Sequence, residues 1–294
     1  MTALPLPAGL PPDWPHRAAS CRIDCAPNRW HVQIMGAAGP TVLMLHGAGA
    51  SGHSFRALMG LLAPSCRVIV PDLPGQGFTR AGNLARVGLV PMADDLCRLC
   101  VQEGWQPDAI LGHSAGAAIA LRLAQILPRP PRAVIAINPA LSNFRGVAGW
   151  LFPMMARVLA LTPIVPHIFA RSGRRAAQVE KVLTSTGSTL TPEGTELYRR
   201  LMGDAGHVRA TLAMMSQWRL DPLLAALPQI ATPCLLIAGA KDTAVPPDIA
   251  LDASTRLPHA EVHVIEGYGH LVHEEAPEAC ANLIMPWLWR QLAP

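Results

Sequence analysis

Short uninterrupted apolar runs alternate with helix-patterned segments along most of this chain, and that alternation narrows the possible folds more than any other feature. Residues 41–45, 67–70, 109–111 and 133–137 are such runs, the first two apolar from Val42 and Val68 onward, with helical spacing near 54–62, near 91–102 and over 117–127. A strand that is apolar at every position, rather than at alternate ones, is one covered on both faces. Such strands separated by helices predict an α/β fold: a mostly parallel central sheet flanked by helices, with right-handed crossovers. Residues 22–25 and 30–35 predict an opening antiparallel pair across Ala26-Pro27-Asn28, after an irregular proline-rich arm. With 294 residues, 50% of them hydrophobic and only 15% charged, the chain has ample material for one large core.

The alternation stops after Asn138-Pro139. Residues 141–220 show only helical periodicity and breakers, and strand signals return at 234–238 and 262–265 before a last helix near 277–292. The pattern predicts a helical cap, residues 141–220, inserted after the sixth strand into a core made of residues 1–140 and 221–294. Phe144, Trp150, Phe152 and Phe169 lie in that insertion among methionines and aliphatics, with Pro153, Pro163 and Pro166 breaking it into short helices. They are expected to form an apolar substrate pocket. Ordinary packing of cap on core and contact with a membrane surface are the competing readings of the same residues.

Chemistry enters at Gly112-His113-Ser114-Ala115-Gly116, which an apolar strand enters and a helical pattern leaves. Glycines on both sides of a serine let the backbone turn sharply, so the Ser114 hydroxyl would stand clear of the sheet. Asp242 follows the run 234–238, and His270 follows the run 262–265 in Gly267-Tyr268-Gly269-His270. Serine is a weak nucleophile at neutral pH and needs a base; histidine suits the task, and a carboxylate fixes its tautomer and steadies the imidazolium. Ser114, Asp242 and His270 are therefore the predicted catalytic residues. His273, one turn further on, is expected to cap a helix or to face solvent. Upstream, His46-Gly47-Ala48-Gly49 closes an apolar strand. The N–H groups of Ala48 and Ala115 are the candidate oxyanion donors, Gly49 joins the candidate substrate-binding residues, and His46 reads as a brace for the loop. Pro71-Asp72-Leu73-Pro74-Gly75-Gln76-Gly77 reads as scaffold.

Composition excludes several classes. A net charge of +4 without a dense Lys/Arg run interleaved with aromatics disfavours nucleic acid as a partner. The 7 cysteines lack metal-ligand or disulfide-framework spacing, so neither a metal nor another cofactor is expected, and buried free thiols in a reducing compartment are. The amino terminus lacks a basic start with a long apolar core, and no run of about 18 apolar residues is uninterrupted. A cytoplasmic protein without a transmembrane segment is the expectation, with peripheral membrane contact left open.

Taken as a set, His46-Gly47, Gly112–Gly116, Asp242 and His270 make the chain resemble the α/β-hydrolase superfamily over about residues 30–292. Within it, the segment Leu45-His46-Gly47-Ala48-Gly49-Ala50-Ser51, and the stretch from Asn138-Pro139-Ala140-Leu141 through Gly149 to Phe169, resemble the magnesium-chelatase-associated hydrolases of bacteriochlorophyll biosynthesis. The resemblance implies a role around magnesium insertion into tetrapyrroles, with a small apolar substrate such as a porphyrin and with chelatase subunits as partners. Three readings stand: a serine hydrolase of an ester or related acyl bond, an accessory protein that binds porphyrin or the chelatase without catalysis, and a general carboxylesterase with no link to pigment.

Overall fold

A computed structural model describes residues 6–7, 9–142 and 164–293. Among them, eight strands form one sheet: β1 Ser20–Cys25, β2 Asn28–Met35, β3 Thr41–Leu45, β4 Arg67–Pro71, β5 Ala109–His113, β6 Ala133–Ile137, β7 Cys234–Gly239 and β8 Ala260–Ile265. Their order is β1-β2-β4-β3-β5-β6-β7-β8. The first two pair antiparallel with each other, β2 pairs antiparallel with β4, and every later pairing is parallel. The predicted opening hairpin and the parallel remainder are both present.

Continuous apolarity has the expected cause. Val42, Met44, Val68, Val70, Ile135, Ile137, Leu235 and Ile237 point into one core, and Leu43, Leu45, Ile69, Ile110, Val134 and Leu236 into the other. Successive residues of a strand thus serve opposite faces, and each fully buried aliphatic contributes about 1.5–3 kcal/mol. Helices α1 (Arg56–Leu62) and α11 (Pro277–Leu292) cover the first face. Helices α2 (Leu89–Gln102), α3 (Ala115–Ile126) and α9 (Pro247–Arg256) cover the second. Of the two edge strands, β1 is mostly buried and β8 largely exposed, and β8 carries Glu261 and His263, polar residues that discourage edge pairing.

The chain leaves β3 for β4 on one side and then returns to β5 on the other, so β3 and β5 are neighbours with no strand between them. Their carboxyl ends mark the switch point where sheets of this kind bind ligands. Between β6 and β7 the described residues contain helices and no strand: α4 Val165–Gly173, α5 Ala176–Thr184, α6 Pro192–Met202, α7 Ala205–Gln217 and α8 Asp221–Ala226. Thr191 caps α6 by accepting the Gly194 N–H (3.2 Å), and Asp204 caps α7 by accepting the His207 N–H (2.7 Å). Phe144, Trp150 and Phe152 lie outside the described residues.

Candidate active site

Ser114 ends β5 and begins α3 with φ 53° and ψ −117°, a backbone state rare outside glycine and one that side chains usually avoid. Close approach makes the flanking glycines necessary. A Cβ on Gly116 would sit 2.0 Å from the Leu45 carbonyl oxygen, and one on Gly112 would sit 2.3 Å from that of Gly116. The turn is anchored by the Ser114 N–H donating to Ile137 at the end of β6 (2.9 Å). The hydroxyl is thereby presented at the switch point.

His270 follows β8 and meets the serine with Nε2 3.1 Å from Oγ, while its Nδ1 lies 2.6 Å from Asp242 Oδ2. Asp242, in the turn after β7, is buried and fully occupied. Oδ1 accepts the N–H groups of Ala244 and Val245 at 2.8 Å each, and Oδ2 also accepts from Asn138 Nδ2 at 2.6 Å. An anchored carboxylate on Nδ1 fixes the tautomer that leaves Nε2 free to take the serine's proton. Ala48 lines the space above Ser114 and Ala115 is the first residue of α3, directly after Ser114; neither of their N–H groups is hydrogen-bonded among the described residues. Two unused donors beside a hydroxyl and its base form an arrangement able to hold a developing oxyanion.

The loop carrying Ala48 is held from below and from the side. His46 donates Nδ1–H to Gly47 O (2.8 Å) and accepts the Leu73 N–H at Nε2 (2.9 Å), the bracing role read from the sequence. Gly49, at φ +78°, gives its N–H to Gln76 Oε1 (2.6 Å). Its carbonyl accepts from His207 Nε2 (3.1 Å), while His207 Nδ1 accepts the Gly77 N–H (3.0 Å). Burial lowers the His207 pKa to about 4, so the neutral imidazole bridges α7 and both loops at neutral pH. The 71–77 segment is scaffold around Asp72, whose carboxylate takes the N–H groups of Gly52 and Phe78 and the ring of His31. Burial opposes that charge, but His31 and these donors prevail and hold the pKa at about 2.

His273 departs from expectation. It neither caps nor faces solvent: it is fully buried on α10 (Val272–Glu275), its ring 4.3 Å from that of His113 and 5.2 Å from that of Phe55. Its neighbour Glu274 is drawn inward by Arg56 and by the Tyr198 hydroxyl (2.7 Å). Burial, then the charge of neighbouring groups, pushes the His273 pKa down to about 3 and that of His113 well below the ordinary value. Both rings are therefore neutral beside His270. His113 Nε2 donates to the His270 carbonyl (2.9 Å) and fixes the loop that carries the base.

Sequence reasoning missed Asn138, His113, Gln76 and His207, and also the short segment after α5. There the Thr186 carbonyl accepts the His270 N–H (3.2 Å), and Ser188 Oγ accepts the Leu271 N–H (2.8 Å). Above Ser114 lies a cavity of about 310 Å³, lined mainly by apolar groups of the helices between β6 and β7. Gly47, Ala48, Gly49, Ser114 and His270 form its floor, and Phe169, Val182, Met202, Leu212 and Met215 line its walls. Gly49 and Phe169 are thus brought to one cavity. Among the described residues, no three His, Cys, Asp or Glu side chains are grouped to hold a metal ion.

This sheet order, with a serine on a strained strand-to-helix turn facing an Asp-anchored histidine, defines a class, and the chain belongs to the α/β-hydrolase fold family, whose model matches residues 40–277. A protein of Rhodobacter capsulatus called magnesium-chelatase 30 kDa subunit is 47% identical to it over 283 residues, 96% of this chain and 99% of that one. A pimeloyl-[acyl-carrier protein] methyl ester esterase of Xanthomonas oryzae is 30% identical over 250 residues, covering 82% and 91%. Among solved structures, an esterase of Thermogutta terrifontis superposes with a TM-score of 0.75 over 92% of this chain and 98% of its own, at 22% identity. At that identity it speaks for the fold alone.

Proposed function

We propose that the protein is a serine hydrolase acting on an ester or related acyl bond of an apolar, tetrapyrrole-related substrate in the branch of metabolism that magnesium chelation serves. The observation that carries the proposal is the hydrogen-bonded row Ser114–His270–Asp242 opening onto an apolar cavity beside two spare N–H donors. In this reading Ser114 Oγ forms a bond to the acyl carbon as its proton passes to His270 Nε2. The carbonyl oxygen, now negative, is held by Ala48 and Ala115. Collapse expels the alcohol with the proton returned by His270, and water then releases the acyl group by the same steps in reverse. The 310 Å³ cavity lies at the lower end of ligand pockets, about 300–1,000 Å³, and suits a modest ligand or the reacting limb of a larger one. Residues 141–220 act as the cap that keeps water from the acyl chemistry.

The link to chelation rests on the Rhodobacter capsulatus relative and its name. That name equally favours a second reading, an accessory protein that binds porphyrin or a chelatase subunit and retains the site unused. Two measurements separate them. His270→Ala lowers kcat on a short-chain reporter ester by several orders of magnitude if the site works. Quenching of tryptophan fluorescence by a porphyrin, weakened in Trp150→Ala and Phe152→Ala but not in Ser114→Ala, tests the pocket. Porphyrin binding with no ester turnover by the wild type favours the accessory reading; turnover without porphyrin binding favours a general carboxylesterase.

A further inference from the structure

We propose that the outer surface of α4 and α5 docks on an anionic lipid surface, so that the cavity over Ser114 is filled from the bilayer. The proposal rests on the hydrolase reading for its purpose but not for its geometry. Helix α4 turns Pro166, Ala170 and Gly173 inward, and a Cβ on Gly173 would lie 2.4 Å from the Met202 carbonyl oxygen, so this face lies tight against α6. The opposite stripe, spaced for one helical face, is Ile164, Ile168 and Arg171, and Arg174 and Arg175 follow in the turn between α4 and α5. Ile164 is 67% exposed, Ile168 59%, Phe169 49% and Val182 on α5 48%. They are four of the eleven large hydrophobic side chains exposed among the described residues, gathered within nineteen positions.

Charge accompanies them. Residues 164–184 hold Arg171, Arg174, Arg175 and Lys181 against Glu180 alone, so three of the chain's four net positive charges fall in this short stretch. None of these four cations is paired with a carboxylate among the described residues, whereas Arg199 and Arg200 on the adjoining α6 are paired with Glu196. Apolar side chains beside unpaired arginines, on a short helix that does not span, are what an interfacial anchor requires. Continuity with the site favours a bilayer over a protein partner. Phe169 and Val182 belong both to the exposed patch and to the cavity wall, so an apolar path runs from the surface to Ser114.

The test is sedimentation of the full chain with vesicles of phosphatidylcholine, with and without phosphatidylglycerol. Binding is expected only with the anionic lipid and should weaken at about 0.5 M salt, where the screening length is only a few ångströms. A cation near such a surface is worth about 1 kcal/mol, roughly fivefold in partitioning, so Arg174→Glu with Arg175→Glu should weaken binding by at least tenfold. Ile164→Ser with Ile168→Ser should lose the salt-resistant part, and Ser114→Ala should bind as the wild type does, whether or not the enzyme reading survives. Hydrolysis of a soluble reporter ester should be unchanged in both double variants, which shows them folded. Absence of vesicle binding at low salt, or binding indifferent to both double variants, overturns the proposal. Loss of binding to a purified chelatase subunit in these variants, with no vesicle binding by the wild type, reassigns the surface to a protein.

Discussion

Replacing Asn138 by glycine isolates the support given to Asp242. Asn138 sits at φ 44°, which glycine accepts without penalty, so the substitution removes the side chain and leaves the turn intact. What is lost is one of four donors on the carboxylate, the 2.6 Å bond to the same oxygen that holds His270. A hydrogen bond to a charged group contributes about 1.5–3 kcal/mol net. Part of that loss is offset because Asn138 Oδ1 is buried without a partner and disappears too. The remaining donors keep Asp242 in place but less firmly, so kcat should fall by about 10- to 100-fold, the equivalent of roughly 1.4–2.7 kcal/mol. KM should hold, because Asn138 does not line the cavity. Asn138→Ala should add about 1–2 kcal/mol of instability from its left-handed backbone without a further loss in kcat. Steady-state kinetics on a reporter ester, with thermal melts of both variants, reads all three quantities. A folded Asn138→Gly enzyme with kcat within twofold of the wild type would refute a supporting role for this side chain.

Three further outcomes follow from the same geometry. His207 is pushed down to about 4 from an ordinary 6.5, so the unfolded chain binds the proton more readily than the native one. Its share of stability is complete above pH 6.5 and falls by roughly 3 kcal/mol as pH drops through 4, visible as a falling denaturation midpoint that His207→Gln should flatten. Gly116→Ala places a methyl 2.0 Å from the Leu45 carbonyl oxygen, so β3 and the turn must part; expression as soluble protein with unaltered melting temperature and activity would contradict the packing described. His113→Leu removes the donor to the His270 carbonyl and should lower kcat more than it raises KM, with Phe at the same position no better. An unchanged kcat would assign His113 to packing alone.

Much of this architecture is legible in the sequence because it is written locally. Residues 42–45 and 234–238 are apolar at every position, as a doubly covered strand requires, and Ser114 carries glycines on both sides at the junction of strand and helix. Asp242 and His270 are legible for the same reason, since each follows a strand directly. Contacts between distant residues leave no such trace. Asn138 reaches Asp242 across 104 positions and His207 reaches Gly49 across 158, and nothing beside either residue names its distant partner. Asn138 did carry a faint signal, as an asparagine closing a strand just before a proline, because asparagine tolerates the left-handed region better than most residues. His273 misleads because Glu274 and Glu275 make the segment read as polar, while Arg56 and Tyr198, far away in the chain, supply the partners that let Glu274 turn inward.

The central claim is that Ser114 is a working nucleophile and not an inherited one. Treating the folded protein with a fluorophosphonate and mapping the adduct by mass spectrometry tests it most directly. One adduct per chain is expected, on the peptide bearing Ser114, lost in Ser114→Ala and much reduced in His270→Ala while circular dichroism stays unchanged. A well-folded wild type that takes up no label, or that labels equally after Ser114→Ala, would contradict it.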